Sequence, residues 1–319
     1  MNFFSPYKQV ETNSGCSESP FLNCPNIQRQ QLTSPLIWSF TNCNFISCNN
    51  DKNTHNEHGG AICYHSDHGL LTVTSCHFYN CVAYSMDGGA IDARNADYVT
   101  LSLSSFVHCV SHTTSSTSGG GGINCNNIQQ QPFIHCCLFL LCESDDDGAG
   151  VSIWNAHGNP DIYLCNECIF LEDTARNGGG GLIVDTTDSR ACSNCLLSHS
   201  LSGCGGALYL HYSFYSSEHF LTQFCFFHAN SLYSSGVAKD AAIESYFKLT
   251  DSIVLFQQCF STSGSNRLGD YYNERWHNTD LDWLSFLYGY IQSEKYLEHK
   301  RHFSTVPFTF LWDIISSIH

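Results

Sequence analysis

The stretch GGAICYHSDHGLLTVTSCHFYNC, residues 59–81, decides the fold because the chain repeats its pattern. It begins with a glycine-rich corner that ends in a branched apolar residue, and it closes with Cys-x-Phe-x-x-Cys. The next unit, residues 88–109, reads GGAIDARNADYVTLSLSSFVHC and has the same order of motifs. A fixed period of this size is typical of solenoids, in which each unit stacks on its neighbours.

Both motifs recur along most of the chain. The glycine motif occupies residues 59–62, 88–91, 120–123, 148–151, 179–182 and 205–208, with a degenerate copy at 240–243. The aromatic motif forms a column of eight positions whose consecutive members are 27 to 33 residues apart. These positions are Phe45, Phe78, Phe106, Phe139, Phe170, Leu197, Phe227 and Phe256. Seven steps of such similar length indicate stacked coils.

The residues after each glycine corner alternate as a half-buried strand does. Ile62 and Tyr64 are apolar, whereas Cys63 and His65 point to the other side. A second apolar stretch precedes each phenylalanine, so one unit contains two or three short strands joined by corners that glycine permits. The sequence therefore predicts an all-β, right-handed parallel β-helix solenoid of about seven to eight coils over residues 38–263.

The two ends of the chain lack the repeat. Residues 1–37 are polar and contain four prolines, which predicts an irregular N-terminal lead-in. In residues 264–319, Leu281, Leu284 and Leu287 follow helical spacing. We therefore predict an α-helical C-terminal cap or tail, which would protect the exposed edge of the last coil.

The composition restricts the possible partners. The chain has 13 Lys and Arg residues against 29 Asp and Glu residues, which gives a net charge of −16. Phosphate binding needs clustered positive charge, so we expect no nucleic-acid partner. No apolar run is long enough to span a bilayer directly, and the first residues lack the apolar core of a signal peptide. We expect either an intracellular protein or a fragment that lacks its secretion signal.

Most of the 19 cysteines follow the repeat. One ladder lies two residues before the aromatic column and contains Cys43, Cys76, Cys137, Cys168, Cys195 and Cys225. The other lies three residues after it and contains Cys48, Cys81, Cys109, Cys142 and Cys259. Free buried cysteine packs as a small hydrophobe, so we predict buried, mostly unpaired thiols. Asn230 occupies the second ladder, where its side chain is expected to bond exposed backbone.

Two cysteine pairs admit a second interpretation. The spacing of Cys165-x-x-Cys168 and Cys192-x-x-Cys195 is typical of a tetrahedral zinc site. The two pairs also occupy equivalent positions of adjacent units, so the period alone explains their spacing. We favour ladder packing, keep zinc or a disulfide as the alternative, and expect no cofactor.

The outward end of each glycine-led strand supplies the candidate site. Its column contains His65, Arg94, Asn126, Trp154, Asp185, His211 and Tyr246. A solvated strand face is the default interpretation. The alternative is a surface that binds a carbohydrate or another partner, because the column mixes aromatic, amide and ionisable groups.

Catalysis is disfavoured by the spacing of the carboxylates. A glycosidase needs two carboxylates about 5–10 Å apart. Asp92 and Asp185 lie three units apart, which is about 14 Å at ~4.8 Å per coil. We therefore assign no catalytic residue and lean towards a protein that is not an enzyme.

The alternation of GGAI or GGAL with F-x-x-N or F-x-x-C resembles the repeats of polymorphic outer membrane proteins. These belong to the wider class of right-handed β-helix proteins that includes pectate-lyase-like enzymes. The resemblance covers residues 38–260, with F-x-x-C replacing F-x-x-N in most copies. It implies a cell-surface or secreted protein with a role in adhesion and with glycans or cell-surface proteins as partners.

Three functional hypotheses follow. We favour a non-catalytic binding or adhesion protein. The alternative is a carbohydrate-active enzyme, similar to a polysaccharide lyase or a glycosidase, on the same scaffold. The third is an inert fragment of a larger surface protein.

Overall fold

The computed structural model describes a chain built from strands. The described residues are 21–22, 36–49, 59–65, 69–84, 87–112, 119–157, 163–186, 189–212, 219–223, 225–228, 230–233, 241–245, 253–257 and 260–261. Within these ranges every regular element is a β-strand. The chain divides into two compact units, residues 1–280 and 281–319. The predicted helical segment 264–319 and most of the predicted lead-in lie outside the described residues.

The strands follow one another in a repeating order. Three precede the first full coil, namely β1 (Phe21–Leu22), β2 (Leu36–Thr41) and β3 (Asn44–Ile46). The first coil contains β4 (Ile62–His65), β5 (Gly69–Thr74), β6 (His77–Tyr79) and β7 (Val82–Ala83). The second contains β8 (Ile91–Arg94), β9 (Tyr98–Ser102), β10 (Ser105–Val107) and β11 (Val110–Ser111). The third contains β12 (Ile123–Asn126), β13 (Phe133–His135), β14 (Leu138–Leu140) and β15 (Glu143–Ser144).

The same order continues to the last strand. The fourth coil contains β16 (Val151–Ala156), β17 (Tyr163–Asn166), β18 (Ile169–Leu171) and β19 (Thr174–Ala175). The fifth contains β20 (Leu182–Thr186), β21 (Ser189–Ser193), β22 (Leu196–Ser198) and β23 (Leu201–Ser202). The sixth contains β24 (Leu208–Tyr212), β25 (His219–Gln223), β26 (Phe226–His228) and β27 (Ser231–Leu232). A partial coil contains β28 (Ala241–Ser245), β29 (Ile253–Gln257) and β30 (Phe260–Ser261).

Equivalent strands of successive coils pair in parallel and form four sheets. The glycine-led sheet contains β4, β8, β12, β16, β20, β24 and β28. The middle sheet contains β2, β5, β9, β13, β17, β21, β25 and β29. The phenylalanine sheet contains β1, β3, β6, β10, β14, β18, β22, β26 and β30, and the short sheet contains β7, β11, β15, β19, β23 and β27. The chain is therefore an all-β parallel β-solenoid, as its period predicts.

The predicted aromatic column is confirmed from Phe45 to Phe227. Each member pairs in register with the next, through Leu197 at the fifth coil. The rings of the first five members stack almost in parallel, with centroids 4.7 to 4.9 Å apart. The predicted eighth member is wrong, because Phe256 pairs with Thr222 in the middle sheet and Ser261 pairs with Phe227. Phe256 lies five residues too early, in the strand that precedes the column.

The phenylalanine sheet is mostly apolar on its outward side as well, from the third coil onward. Most of the side chains that flank the column there are buried, namely the apolar Leu138, Ile169, Leu171, Leu196 and Phe226 and the polar Ser198 and His228, whereas Leu140 is half-buried. Earlier coils present Tyr79 and Val107 on this side, and Tyr79 is exposed. This part of the sheet is thus covered on both faces, a feature that period-2 alternation did not predict.

The ten described members of the two cysteine ladders are buried as predicted. Cys259 lies outside the described residues, and its predicted place three residues after the column is wrong, because Ser261 continues the column. Of the described cysteines only Cys43 is disulfide-bonded. Burial raises the pKa of the Cys76 thiol to about 11, so this thiol stays protonated at neutral pH. In the second ladder, the thiols of Cys81, Cys109 and Cys142 donate to the carbonyl of the aromatic residue one coil earlier. They therefore join neighbouring coils at the corner.

Asn230 performs the same task with an amide. Its Oδ1 accepts a hydrogen bond of 3.0 Å from the Ser200 N–H, and its Nδ2 donates to the Leu197 carbonyl at 3.1 Å. The predicted bonding of exposed backbone at this corner is confirmed.

Candidate functional site

The outward column of the glycine-led sheet is aligned by strand pairing. His65, Arg94, Asn126, Trp154 and Asp185 occupy consecutive register positions. The pairing of Leu210 with Val184 places His211 next in the column. These six side chains therefore share one position on six successive coils, as the repeat predicts.

The seventh predicted member is wrong. Glu244 pairs with His211 on strand β28, whereas Tyr246 lies outside the described residues. The degenerate motif at residues 240–243 is shifted by two residues, because Leu208 pairs with Ala241 instead of Ile243. A shift of two leaves each side chain on the same face, so alternation alone does not detect it.

The neighbouring outward column is covered from the second coil to the sixth, which corrects the expectation of a solvated face. Its members Asp92, Asn124, Ser152, Ile183 and Tyr209 are all buried, whereas Cys63 on the first coil is half-buried. The glycine corner of the preceding coil explains part of this burial. A Cβ on Gly148 would lie 2.6 Å from Ile183 Cγ2, and one on Gly178 would lie 2.4 Å from Tyr209 Cδ1. Each corner thus folds over the next strand, and only glycine leaves room for the side chain beneath.

A charged network lies under the first half of the column, centred on the fully buried Asp92. Asp92 Oδ2 is 2.7 Å from His65 Nε2 and accepts a 2.9 Å hydrogen bond from Arg94 Nε. Asp92 Oδ1 accepts from Asn124 Nδ2 at 2.6 Å, and a terminal nitrogen of Arg94 donates to Asp87. Burial opposes the charge of Arg94, but the two carboxylates outweigh it and raise the pKa of the guanidinium. The network fixes side chains from three coils.

An aromatic cluster lies under the second half. The centroid of the His211 ring lies 5.1 Å from that of Trp154 and 6.2 Å from that of Tyr209. His211 Nδ1 lies 3.3 Å from Asp185 Oδ2. Trp154 is half-buried, and its indole N–H is buried with no hydrogen-bond partner in the described part of the chain.

Exposure divides the column into two parts. His65, Arg94, Asn126 and Trp154 are half-buried and reach the surface, whereas Asp185 and His211 are buried behind Trp154. The accessible surface therefore extends over the first four coils. Asp185 and His211 continue the column on the next two coils but are not accessible.

The structure brings together two carboxylates that sequence reasoning did not pair. Asp87 and Asp92 both bind Arg94, and each is almost completely buried. Asp87 was missed because it precedes the glycine corner, outside the alternating strand; the Asp-Gly-Gly run at 87–89 was the available signal. A glycosidase acid must hold a proton and reach its substrate. Asp87 and Asp92 are both paired with Arg94 and are shielded from the surface, so they are poorly suited to that role.

The four thiols proposed as an alternative zinc site lie in the interior. Cys165 pairs in register with Cys192, and burial raises the pKa of the Cys168 thiol. These four sulfurs do not form a set of three or more within 4.8 Å of one another. Among the described residues, the group that meets this condition is His135, Cys136 and Glu167. Sequence reasoning missed it because its members lie at a corner and outside the cysteine ladders.

No protein-family model matches the chain, and neither a curated protein nor a solved structure matches it significantly. The fold is therefore shown by the strand pairing alone, and the resemblance to polymorphic outer membrane protein repeats remains a prediction. In the described part of the chain, no helix is long and apolar enough to cross a membrane.

Proposed function

We propose that this β-solenoid is a non-catalytic binding protein whose ligand surface is formed by His65, Arg94, Asn126 and Trp154. The observation that carries the proposal is the way these four side chains are held. They stand at one register position on successive coils, and Asp92 fixes two of them from below. A surface that is rigid before binding loses little conformational entropy when its ligand arrives.

The chemistry of this surface suits a carbohydrate. The indole of Trp154 offers an apolar face for a sugar ring, while Arg94 and Asn126 provide polar groups beside it. Strand spacing places these groups at intervals of ~4.8 Å, which favours an extended chain of sugar units over a single small molecule. The resemblance to polymorphic outer membrane protein repeats suggests adhesion through surface glycans as the biological role.

The described residues of this face include no accessible carboxylic acid, which supports binding over catalysis. Asp87 and Asp92 are held by Arg94, and Asp185 is buried beside His211. A carbohydrate-active enzyme on this scaffold would need a carboxylate that reaches the sugar. Release of shortened products from a bound polysaccharide would overturn the non-catalytic part of the proposal.

A glycan array with the wild-type chain and Trp154→Ala tests the proposal. We expect the variant to lose about fivefold or more in affinity, because stacking on an aromatic ring is worth ~1 kcal/mol or more. Tyr98→Ala is the matched control, since Tyr98 is an exposed aromatic residue on the middle sheet. Circular dichroism of each variant checks that it is folded.

Two results would contradict the carbohydrate surface. One is the absence of glycan binding by the wild-type chain. The other is an equal loss of affinity in Trp154→Ala and Tyr98→Ala.

A further inference from the structure

The corner between the middle sheet and the phenylalanine sheet contains the group His135, Cys136 and Glu167. His135 ends strand β13 and pairs in register with Asn166, which ends β17 on the next coil. Cys136 and Glu167 follow them as the corner residues, with φ of 52° and 57°. Strand pairing therefore brings two consecutive residues of one coil against the corner of the next.

The three side chains converge on one point. Cys136 Sγ lies 3.2 Å from His135 Nε2 and 3.5 Å from Glu167 Oε2. All three ligand atoms lie within 4.8 Å of one another. Tetrahedral zinc with Zn–S of ~2.3 Å and Zn–N or Zn–O of ~2.0–2.1 Å separates sulfur from the other ligands by about 3.5 Å. The two separations from Cys136 Sγ are close to that value, but Sγ also lies 3.8 Å from His135 Nδ1 and so sits beside the ring instead of in line with the Nε2 lone pair. Zinc binding therefore requires the half-buried imidazole to turn about its Cβ–Cγ bond until Nε2 points at the ion.

The burial and charge of the group suit a cation. Cys136 is 2% exposed and Glu167 is 5% exposed, while His135 is half-buried and leaves one side open. A thiolate and a carboxylate together balance the two charges of Zn²⁺. The mixture of sulfur, nitrogen and oxygen favours zinc over calcium or magnesium, which prefer oxygen alone.

Asn166 is placed to orient the Glu167 ligand. Its Nδ2 donates to Glu167 Oε1 at 3.3 Å, while Glu167 Oε2 faces Cys136 Sγ and the position of the ion. Carboxylates that bind a metal are commonly held by such a second hydrogen bond.

We propose that His135 Nε2, Cys136 Sγ and Glu167 Oε2 bind one Zn²⁺, with a fourth position open to water or a ligand. Binding releases the Cys136 thiol proton to solvent, so the affinity falls as the pH is lowered. The ion links the corners of the third and fourth coils and raises the melting temperature of the chain.

Zinc titration of the full chain against a chromophoric chelator tests the proposal. We expect one equivalent to bind the wild-type chain. Cys136→Ser and Glu167→Gln each remove a ligand and should weaken binding at least ~100-fold, whereas Asn166→Ala should weaken it about 10- to 100-fold. Cys63→Ser is the matched control, because Cys63 is a half-buried cysteine on another coil, and it should keep full affinity.

Cobalt substitution identifies the sulfur ligand. The wild-type chain should show a thiolate-to-cobalt charge-transfer band that Cys136→Ser abolishes. Circular dichroism in chelator confirms that the nearly isosteric Glu167→Gln is folded without metal. The proposal is overturned if the wild-type chain binds no zinc. It is equally overturned if Cys136→Ser and Glu167→Gln keep the ion, since the metal would then be held by other cysteines such as the buried ladder.

Discussion

The interior phenylalanine column and the outward column of the glycine-led sheet have the same spacing but opposite content. Inside, Phe45, Phe78, Phe106, Phe139 and Phe170 repeat one side chain, with neighbouring rings 2° to 8° from parallel. Outside, the first four coils present a histidine, an arginine, an asparagine and a tryptophan. Identical side chains stack because each coil must fit the last, whereas the outward positions need not match their neighbours. The repetition encodes the fold, and the variation is available for binding.

Phe139→Ala interrupts the interior column and should cause the largest loss of unfolding free energy among the substitutions proposed. Phe139 is fully buried between Phe106 and Phe170, so truncation leaves a cavity that the stacked coils fill poorly. We expect a loss of about 3–5 kcal/mol in unfolding free energy, measured by urea unfolding followed by circular dichroism. Tyr98→Ala, at an exposed ring, should change it by no more than ~0.5 kcal/mol. Similar losses in both variants would show that the column is not the core.

Asp92→Asn should disrupt the buried network beneath the outward column and lower the unfolding free energy of the chain. The change leaves Arg94 with one fewer carboxylate and removes the charge beside His65. Breaking a buried ion pair costs about 3–5 kcal/mol, and the half-buried Arg94 places the expected loss at the lower end. Thermal unfolding measures it. Asp145→Asn is the control, because the Asp145–His112 pair is exposed and its loss should be barely detectable.

Asp173→Asn should stabilise the chain by a smaller amount. Asp173 lies three residues after Phe170, at the corner where another coil has Asn230. Its Oδ1 accepts from the Cys142 N–H at 2.9 Å, but its Oδ2 is buried with no hydrogen-bond partner among the described residues. An amide there can donate as Asn230 does, so we expect a gain of about 1–2 kcal/mol at neutral pH.

The pH dependence of that gain has a definite sign. Burial raises the pKa of Asp173 well above its usual range. The folded state therefore holds the proton more tightly than the unfolded state, and stability falls as the pH rises from the unfolded pKa through the folded one. The advantage of Asp173→Asn should grow over that interval in melting temperatures measured across pH. Asn230→Asp should show the reverse, and a pH-independent difference would contradict a buried carboxyl at Asp173.

Sequence reasoning predicted the inside of the solenoid better than the outside. The fold, the aromatic column to Phe227 and the buried cysteine ladders follow from a fixed period, because stacking repeats the same contacts in each coil. In the last coil Tyr246 was misaligned because the glycine corner is degenerate and a shift of two keeps the same face. Phe256 was misassigned because it lies in the preceding strand, five residues before the column position.

The candidate sites depend on contacts between coils that the pattern does not contain. Alternation identified Arg94 and Trp154 as outward, but it did not show that corners cover Asp92 or that Asp87 binds Arg94. The group at His135 has no repeating signal, because its neighbours Cys136 and Glu167 are unlike the corner residues of other coils. Predicting such sites requires knowledge of the register between adjacent coils as well as of the period.

Asn126→Ala tests most directly whether the outward column serves binding and the interior column serves the fold. Asn126 is half-buried at the centre of the accessible surface, and it should contribute little to stability. The measurement is affinity for the glycan that binds the wild-type chain most strongly, together with the melting temperature of the same sample. We predict a loss of affinity of about fivefold or more with an unchanged melting temperature, as expected for one lost hydrogen bond. Unchanged affinity, or a loss that only follows a lower melting temperature, would contradict the account.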